Sequence, residues 1–237
     1  MVQAQTQPLT FEEFLAAYPE DGGIYELLNG EVIAVNPTGK HEEVVAFIVA
    51  EFNFEIRRLG LPYVLPRTCT LKPAAPNTGY KPDITVLNKA ALAEEPRWEA
   101  ASTILKGHSV PLVVEVVNTN WRDDYDHKRA DYEAMGIAEY WIVDYLGLGG
   151  RRYVGVPKQP TVTVCEWIDG EYQMQQFRRG DRLISPTFPE LQLDVSQIFE
   201  RVRLNGGQCV RRRSPLKNGC FWITKQEMRS PLANSNH

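Results

Sequence analysis

Two periods of apolar residues alternate along the chain. Leu112, Val113, Val114, Val116 and Val117 form a short β-branched run of the kind that makes a strand buried on both faces, broken by the carboxylate Glu115. After it, Asn118 to Asn120 supply N-cap chemistry and Arg122 to Met135 predicts a helix that Gly136 ends. Tyr140 to Val143 predicts a second strand, returning parallel to the first through a right-handed crossover. On the helix Asp124, Lys128 and Tyr132 fall at i, i+4 and i+8, close to one face. Lys128 can therefore reach the pocket that Glu115 faces.

The remaining pattern reads as elements around that unit. Thr10 with Glu12 and Glu13 starts a helix over Phe11 to Tyr18, which Pro19 stops. Asn29-Gly30 joins two apolar runs between Tyr25 and Ile33, a strong hairpin signal because a type I′ turn needs positive φ at both positions. His41 to Leu59 repeats apolar residues at helical spacing and closes at Gly60. Tyr63 to Leu71 predicts a strand, Lys72 to Tyr80 a loop, and Lys81 to Leu87 another strand with Asp83 at its mouth. Asn88 to Val110 is a long, partly helical connection. Beyond Asp144, the segments Arg151 to Val156, Thr161 to Trp167 and Tyr172 to Phe177 predict antiparallel strands, the last two joined by Asp169-Gly170, and Leu191 to Phe199 closes the domain with Asp194 as N-cap. The expected division is one domain over 1–203 and a flexible tail over 204–237.

Composition adds few constraints. With 237 residues, 43% hydrophobic and 24% charged, the chain is long enough to bury a real core and ordinary enough to exclude disorder. No apolar run nears the roughly 20 residues of a membrane span, and the N-terminal residues lack a basic n-region, so cytoplasmic residence is the expectation. Cys69, Cys165, Cys209 and Cys220 show no Cys-x-x-Cys spacing and encode neither a zinc site nor a disulfide framework. Up to residue 203 there are 20 basic and 29 acidic residues, while the tail carries six basic residues against Glu227. An acidic body must use local basic patches or bound cations to meet a polyanion.

The candidate chemistry lies in Asp83 at a strand end, Glu115 within the next major strand, Lys128 on the following helix and Glu26 in the hairpin. Two carboxylates from adjacent strands and a backbone carbonyl such as that of Val116 make a hard oxygen site suited to Mg²⁺ or Mn²⁺. A nearby ammonium can orient a water, which is the equipment of metal-dependent phosphodiester hydrolysis. A structural salt bridge between Glu115 and Lys128, with no catalysis, accounts for the same residues.

These residues carry a resemblance. Pro82-Asp83, Glu115 and Lys128 resemble the Pro-Asp…(Asp/Glu)-x-Lys signature of restriction-endonuclease-like nucleases. Tyr25 to Glu31, His41 at a helix start, Lys81-Pro82-Asp83, Leu112 to Val116, Asp124 with Lys128 and Tyr132, and Gly136 to Asp144 together resemble the Uma-type endonuclease family, in order, from about Leu9 to Phe199. The resemblance implies an α/β fold with a central mixed β-sheet flanked by helices, a Mg²⁺-dependent nuclease site acting on DNA, and a homodimer. Two departures stand out. Val117 occupies the position that Glu-x-Lys spacing gives to lysine, so the basic role moves to Lys128, and Asn118-Thr119 replace the family's Ser-Pro. A non-catalytic nucleic-acid-binding or protein-interaction domain on the same scaffold is the alternative reading.

Overall fold

The structure is a computed structural model in which residues 7–200 are described. Helix α1 (Phe11–Ala16) starts in a capping box between Thr10 and Glu13, and strands β1 (Ile24–Leu28) and β2 (Glu31–Val35) form the hairpin turned at Asn29 and Gly30, with φ of 52° and 85°. The long helix α2 (Gly39–Leu59) follows, capped by Thr38 and ended by Gly60 in the left-handed region. Next come β3 (Tyr63–Val64), β4 (Thr70–Leu71), β5 (Ile84–Asn88), α3 (Trp98–Ala101), β6 (Thr103–Ile104) and β7 (Leu112–Val116). The crossover helix ends as α4 (Arg129–Met135) and leads to β8 (Glu139–Asp144), then α5 (Arg151–Val154), β9 (Thr161–Ile168), β10 (Glu171–Phe177) and α6 (Val195–Glu200).

The central sheet has the order β10-β9-β8-β7-β5-β3. Only β7 and β8 run parallel, as the crossover predicts; every other neighbouring pair is antiparallel, so the sheet is mixed. Alternation along β7 sorts its side chains. Leu112, Val114 and Val116 face α2 with Val44, Ile48 and Phe52, whereas Val113 and Val117 face the crossover helix with Tyr125 and Tyr132. Glu115 shares the parity of Val113 and Val117 and is directed at the same helix.

Four expectations need correction. The predicted strand Tyr63 to Leu71 is broken: Tyr63–Val64 pairs with β5, whereas Thr70–Leu71 pairs with β6 in a separate two-stranded sheet. Pro66, lacking an N–H, lies between them. The predicted strand Arg151 to Val156 is a helical turn in which Tyr153 and Val154 donate to the Gly150 carbonyl at 2.8 and 3.1 Å. A strand would send these adjacent residues to opposite faces, while the turn buries both. The strand predicted from Lys81 begins only at Ile84, and α1 stops at Ala16 rather than Tyr18.

The crossover helix also differs from a plain α-helix, because Asp123–Lys128 is a π-segment. Side chains enter its backbone ladder: Arg129 Nε donates to the Tyr125 carbonyl at 3.1 Å and Tyr140 OH to the Asp124 carbonyl at 3.0 Å. The basic tail and its arginine run lie outside the described residues.

Where α4 ends, it presses on the loop before β7. A Cβ at Gly107 would stand 2.0 Å from the Met135 carbonyl oxygen, backbone against backbone. Gly107→Ala is expected to lower stability by about 1–3 kcal/mol or more, read as a lower urea midpoint. An unchanged midpoint contradicts this packing.

Candidate active site

Antiparallel pairing of β5 with β7 brings the start of one strand beside the end of the other, with Ile84 opposite Val114. Asp83, one residue before β5, therefore lies beside the end of β7, and its Oδ2 accepts the Val116 backbone N–H at 2.7 Å. Glu115 is the buried carboxylate of β7, 3% exposed. Lys128, 8% exposed, reaches it from the π-segment with its Nζ 3.1 Å from Glu115 Oε1. Glu26 enters from the hairpin, its Oε1 3.2 Å from the same Nζ and accepting the Lys81 N–H at 2.8 Å. Asp83, Glu115, Lys128, Glu26 and Val116, residues 26 to 128 in sequence, thus line one cleft of about 280 Å³, together with Asp124 and His41.

The electrostatics follow from this crowding. Burial drives the Glu115 carboxyl well above the usual carboxylate range, against the pull of Lys128. Burial likewise pushes Asp124 up to about 7. The Lys128 ammonium is disfavoured by burial, but Glu115, Glu26, Asp124 and Asp83 outweigh that and hold it charged, well above the ordinary lysine value. One ammonium therefore serves four carboxylates, leaving an excess of negative charge that protons or a cation must offset. Tyr132 is buried and donates its hydroxyl to Glu115 Oε1 at 2.8 Å.

His41 has a larger part in the geometry than its place at a helix start suggested. Its Nε2 lies 3.0 Å from the Val116 carbonyl and 3.2 Å from Asp83 Oδ2. Both neighbours are acceptors, so Nε2 carries the proton. Burial pulls the imidazole down, and the Asp83 carboxylate more than compensates, so it titrates above the ordinary histidine range. The sequence did carry a signal: His41 precedes Val44, Ile48 and Phe52 on the buried stripe of α2, a polar residue where an apolar one is expected.

Among the described residues no three His, Cys, Asp or Glu side chains are grouped to hold a metal ion by themselves. Of the oxygens lining the cleft, the Asp83 and Glu115 carboxylates and the Val116 carbonyl are the candidate donors, all hard oxygens in an electronegative setting. That chemistry fits Mg²⁺ or Mn²⁺ and not a soft, thiolate-seeking metal. Among the described residues no helix is long and apolar enough to cross a membrane.

Comparison with known proteins agrees with this architecture. A crystal structure of a "putative nuclease belonging to DUF820" from Anabaena variabilis superimposes with a TM-score of 0.60 at 22% identity, covering 82% of this chain and 99% of that one. At that identity the likeness establishes the fold. No curated protein matches the chain. The Uma2 family, described as "Putative restriction endonuclease", matches residues 11–196, with the hairpin, Asp83, β5, β7 and the crossover helix included. The chain belongs to the Uma2 family.

Proposed function

We propose that this protein is a divalent-metal-dependent endonuclease that hydrolyses phosphodiester bonds of DNA. Asp83, Glu115 and the Val116 carbonyl hold Mg²⁺ or Mn²⁺, Lys128 positions the attacking water, and Glu26 assists. The observation that carries the reading is the meeting of two strand-end carboxylates with a buried, charged lysine in one open cleft. A divalent cation bound there supplies neutralisation of charge on the pentacovalent phosphate.

The chain's own groups do the rest. The Lys128 ammonium is ion-paired with Glu115 at 3.1 Å and Glu26 at 3.2 Å, and Asp124 stands at 3.8 Å. An N–H of this ammonium holds the oxygen of the attacking water in line with phosphorus. As that oxygen bonds to phosphorus and the ester bond to the leaving oxygen breaks, Glu26 offers an acceptor for the proton the water loses. Tyr132 fixes Glu115 from behind. The homodimer implied by the resemblance belongs to the same proposal, and sedimentation equilibrium tests it.

A second reading, a non-catalytic scaffold, is favoured by one feature: Asp83 Oδ2 and the Val116 carbonyl already meet His41, and Glu115 already meets Lys128 and Tyr132. Calorimetric titration of Mn²⁺ separates the two. Wild type is expected to bind the ion and gain thermal stability, and folded Asp83→Ala to do neither. Absence of binding with and without DNA, together with absence of cleavage, removes the nuclease reading.

A further inference from the structure

The cleft accounts for chemistry but not for how an acidic protein holds a polyanion. Twenty basic residues stand against 29 acidic ones up to residue 203, so long-range electrostatics oppose nucleic acid unless cations are gathered locally. Many of the exposed cations are already paired with carboxylates: Arg58 with Glu55 and Glu190, Arg97 with Glu12, Lys106 with Glu94 and Arg179 with Glu200. Arg122 and Arg151 are exposed, and among the described residues neither meets a carboxylate within ion-pair distance.

Arg122 and Arg152 belong to one ridge, and Arg151 adjoins Arg152 in the first turn of α5. Arg122 lies over the Trp121 ring, with its guanidinium carbon 4.6 Å from the centroid, and Arg152 lies over Tyr153 at 4.5 Å. Trp121 meets Tyr125 edge-on at 6.3 Å, and Tyr125 stacks on Tyr153 at 4.3 Å. Gly150 sits beneath the indole, where an added Cβ would be 3.2 Å from the ring. The aromatic column thus ties the start of the crossover helix to α5. Its first turn continues directly from Asn118, Thr119 and Asn120, which line the cleft.

The geometry points to this ridge as the surface that grips the phosphodiester backbone of a nucleic acid beside the cleft, an inference that rests on the nuclease reading. A guanidinium lying over an aromatic ring has fewer rotamers to lose and still offers N–H edges to a phosphate. Arg152 contributes as well, because its 2.7 Å pair with Asp126 is exposed and costs little to exchange. The hairpin brings Ile33, Ala34 and Val35 of β2 and Glu26 of β1 to the cleft.

The test uses the full chain, a fluorescein-labelled DNA duplex and EDTA to prevent cleavage, with anisotropy read over a salt series. Arg122→Gln/Arg151→Gln is compared with Arg57→Gln/Lys89→Gln, which changes net charge equally at distant positions. Arg57 is 16 residues along α2 from His41, about 24 Å at the helical rise, and Lys89 follows the end of β5 opposite Asp83. The ridge variant is expected to bind about tenfold more weakly, with a log–log salt slope shallower by about 2, and the control to match wild type. Equal affinity and slope in the ridge variant, or an equal loss in the control, overturns the ridge. Mn²⁺ calorimetry on the same proteins separates the failures: an intact metal site with an unaffected ridge variant sinks this inference alone. A wild type that binds neither ion nor DNA sinks the nuclease reading with it.

Discussion

Lys128→Met is expected to abolish cleavage, by on the order of 10²–10⁴-fold, and to destabilise the fold by about 3–5 kcal/mol at neutral pH. Methionine keeps most of the volume and the buried stem but removes the ammonium that Glu115 and Glu26 share. Glu115 is then left buried beside the Asp83, Asp124 and Glu26 carboxylates with Tyr132 as its donor. Its carboxyl, already above the ordinary range, rises further. In the folded variant the proton is held while the unfolded chain releases it, so stability is greatest at acid pH and falls as pH rises toward the folded-state value. Thermal unfolding from pH 4 to 8 measures this slope, and cleavage assays well below the melting temperature measure the rate. Wild-type cleavage by the variant rules out Lys128 as the group that positions the water; unchanged stability at pH 8 rules out the buried ion network.

Glu115→Gln is expected to have opposite effects on stability and on function. The metal-free site holds four carboxylates around one ammonium, and Glu115 and Asp124 both titrate above the usual range because burial disfavours their charge. In the folded wild type these groups keep protons that the unfolded chain loses, so its stability falls as pH rises from about 4, where unfolded carboxylates ionise, through about 7, where Asp124 does. Glutamine removes one of these contributions and retains an acceptor for the Tyr132 hydroxyl. The variant should therefore show a shallower pH slope and equal or greater metal-free stability at pH 8. At an Mn²⁺ concentration of 100 times Kd the wild type gains about 2.7 kcal/mol, and the variant should gain none while losing cleavage by on the order of 10²–10³-fold. A variant that melts lower yet keeps the Mn²⁺ gain indicates that Glu115 is structural.

Much of this architecture was legible because local rules agree with the final packing. Asn29-Gly30 and Asp169-Gly170 turn their hairpins with positive φ, and the β-branched run around Glu115 is buried on both faces. Glu115 and Lys128 could be paired because a strand and its crossover helix are adjacent by topology. The readings that failed depended on contacts distant in sequence. Tyr153 and Val154 have strand-forming side chains, and the turn that buries both sets Tyr153 against the Tyr125 ring, 28 residues away in sequence. Thr70 and Leu71 leave the predicted strand because Thr103 and Ile104 offer a partner elsewhere. His41 meets Val116 across 75 residues, a closure no periodicity encodes. Tyr132 was legible on the helix face of Asp124 and Lys128, yet its hydroxyl role needed the register of β7 against the helix.

The wide turn at Asp123–Lys128 has a consequence for how such a site can be re-tuned by single insertions or deletions. A π-segment holds one residue more than the α-helical turn it replaces, so in genetic terms it amounts to one extra codon absorbed in place. Deleting that codon would let the segment relax to α-helix while Gly136 and β8 keep their anchorage. The residues ahead of the deletion would swing by about 100° about the axis relative to α4. Trp121 and Arg122 would leave their ridge while Lys128 stayed under Glu115. The phase between the lysine that faces the cleft and the turn that borders it is therefore set by the count of residues between them.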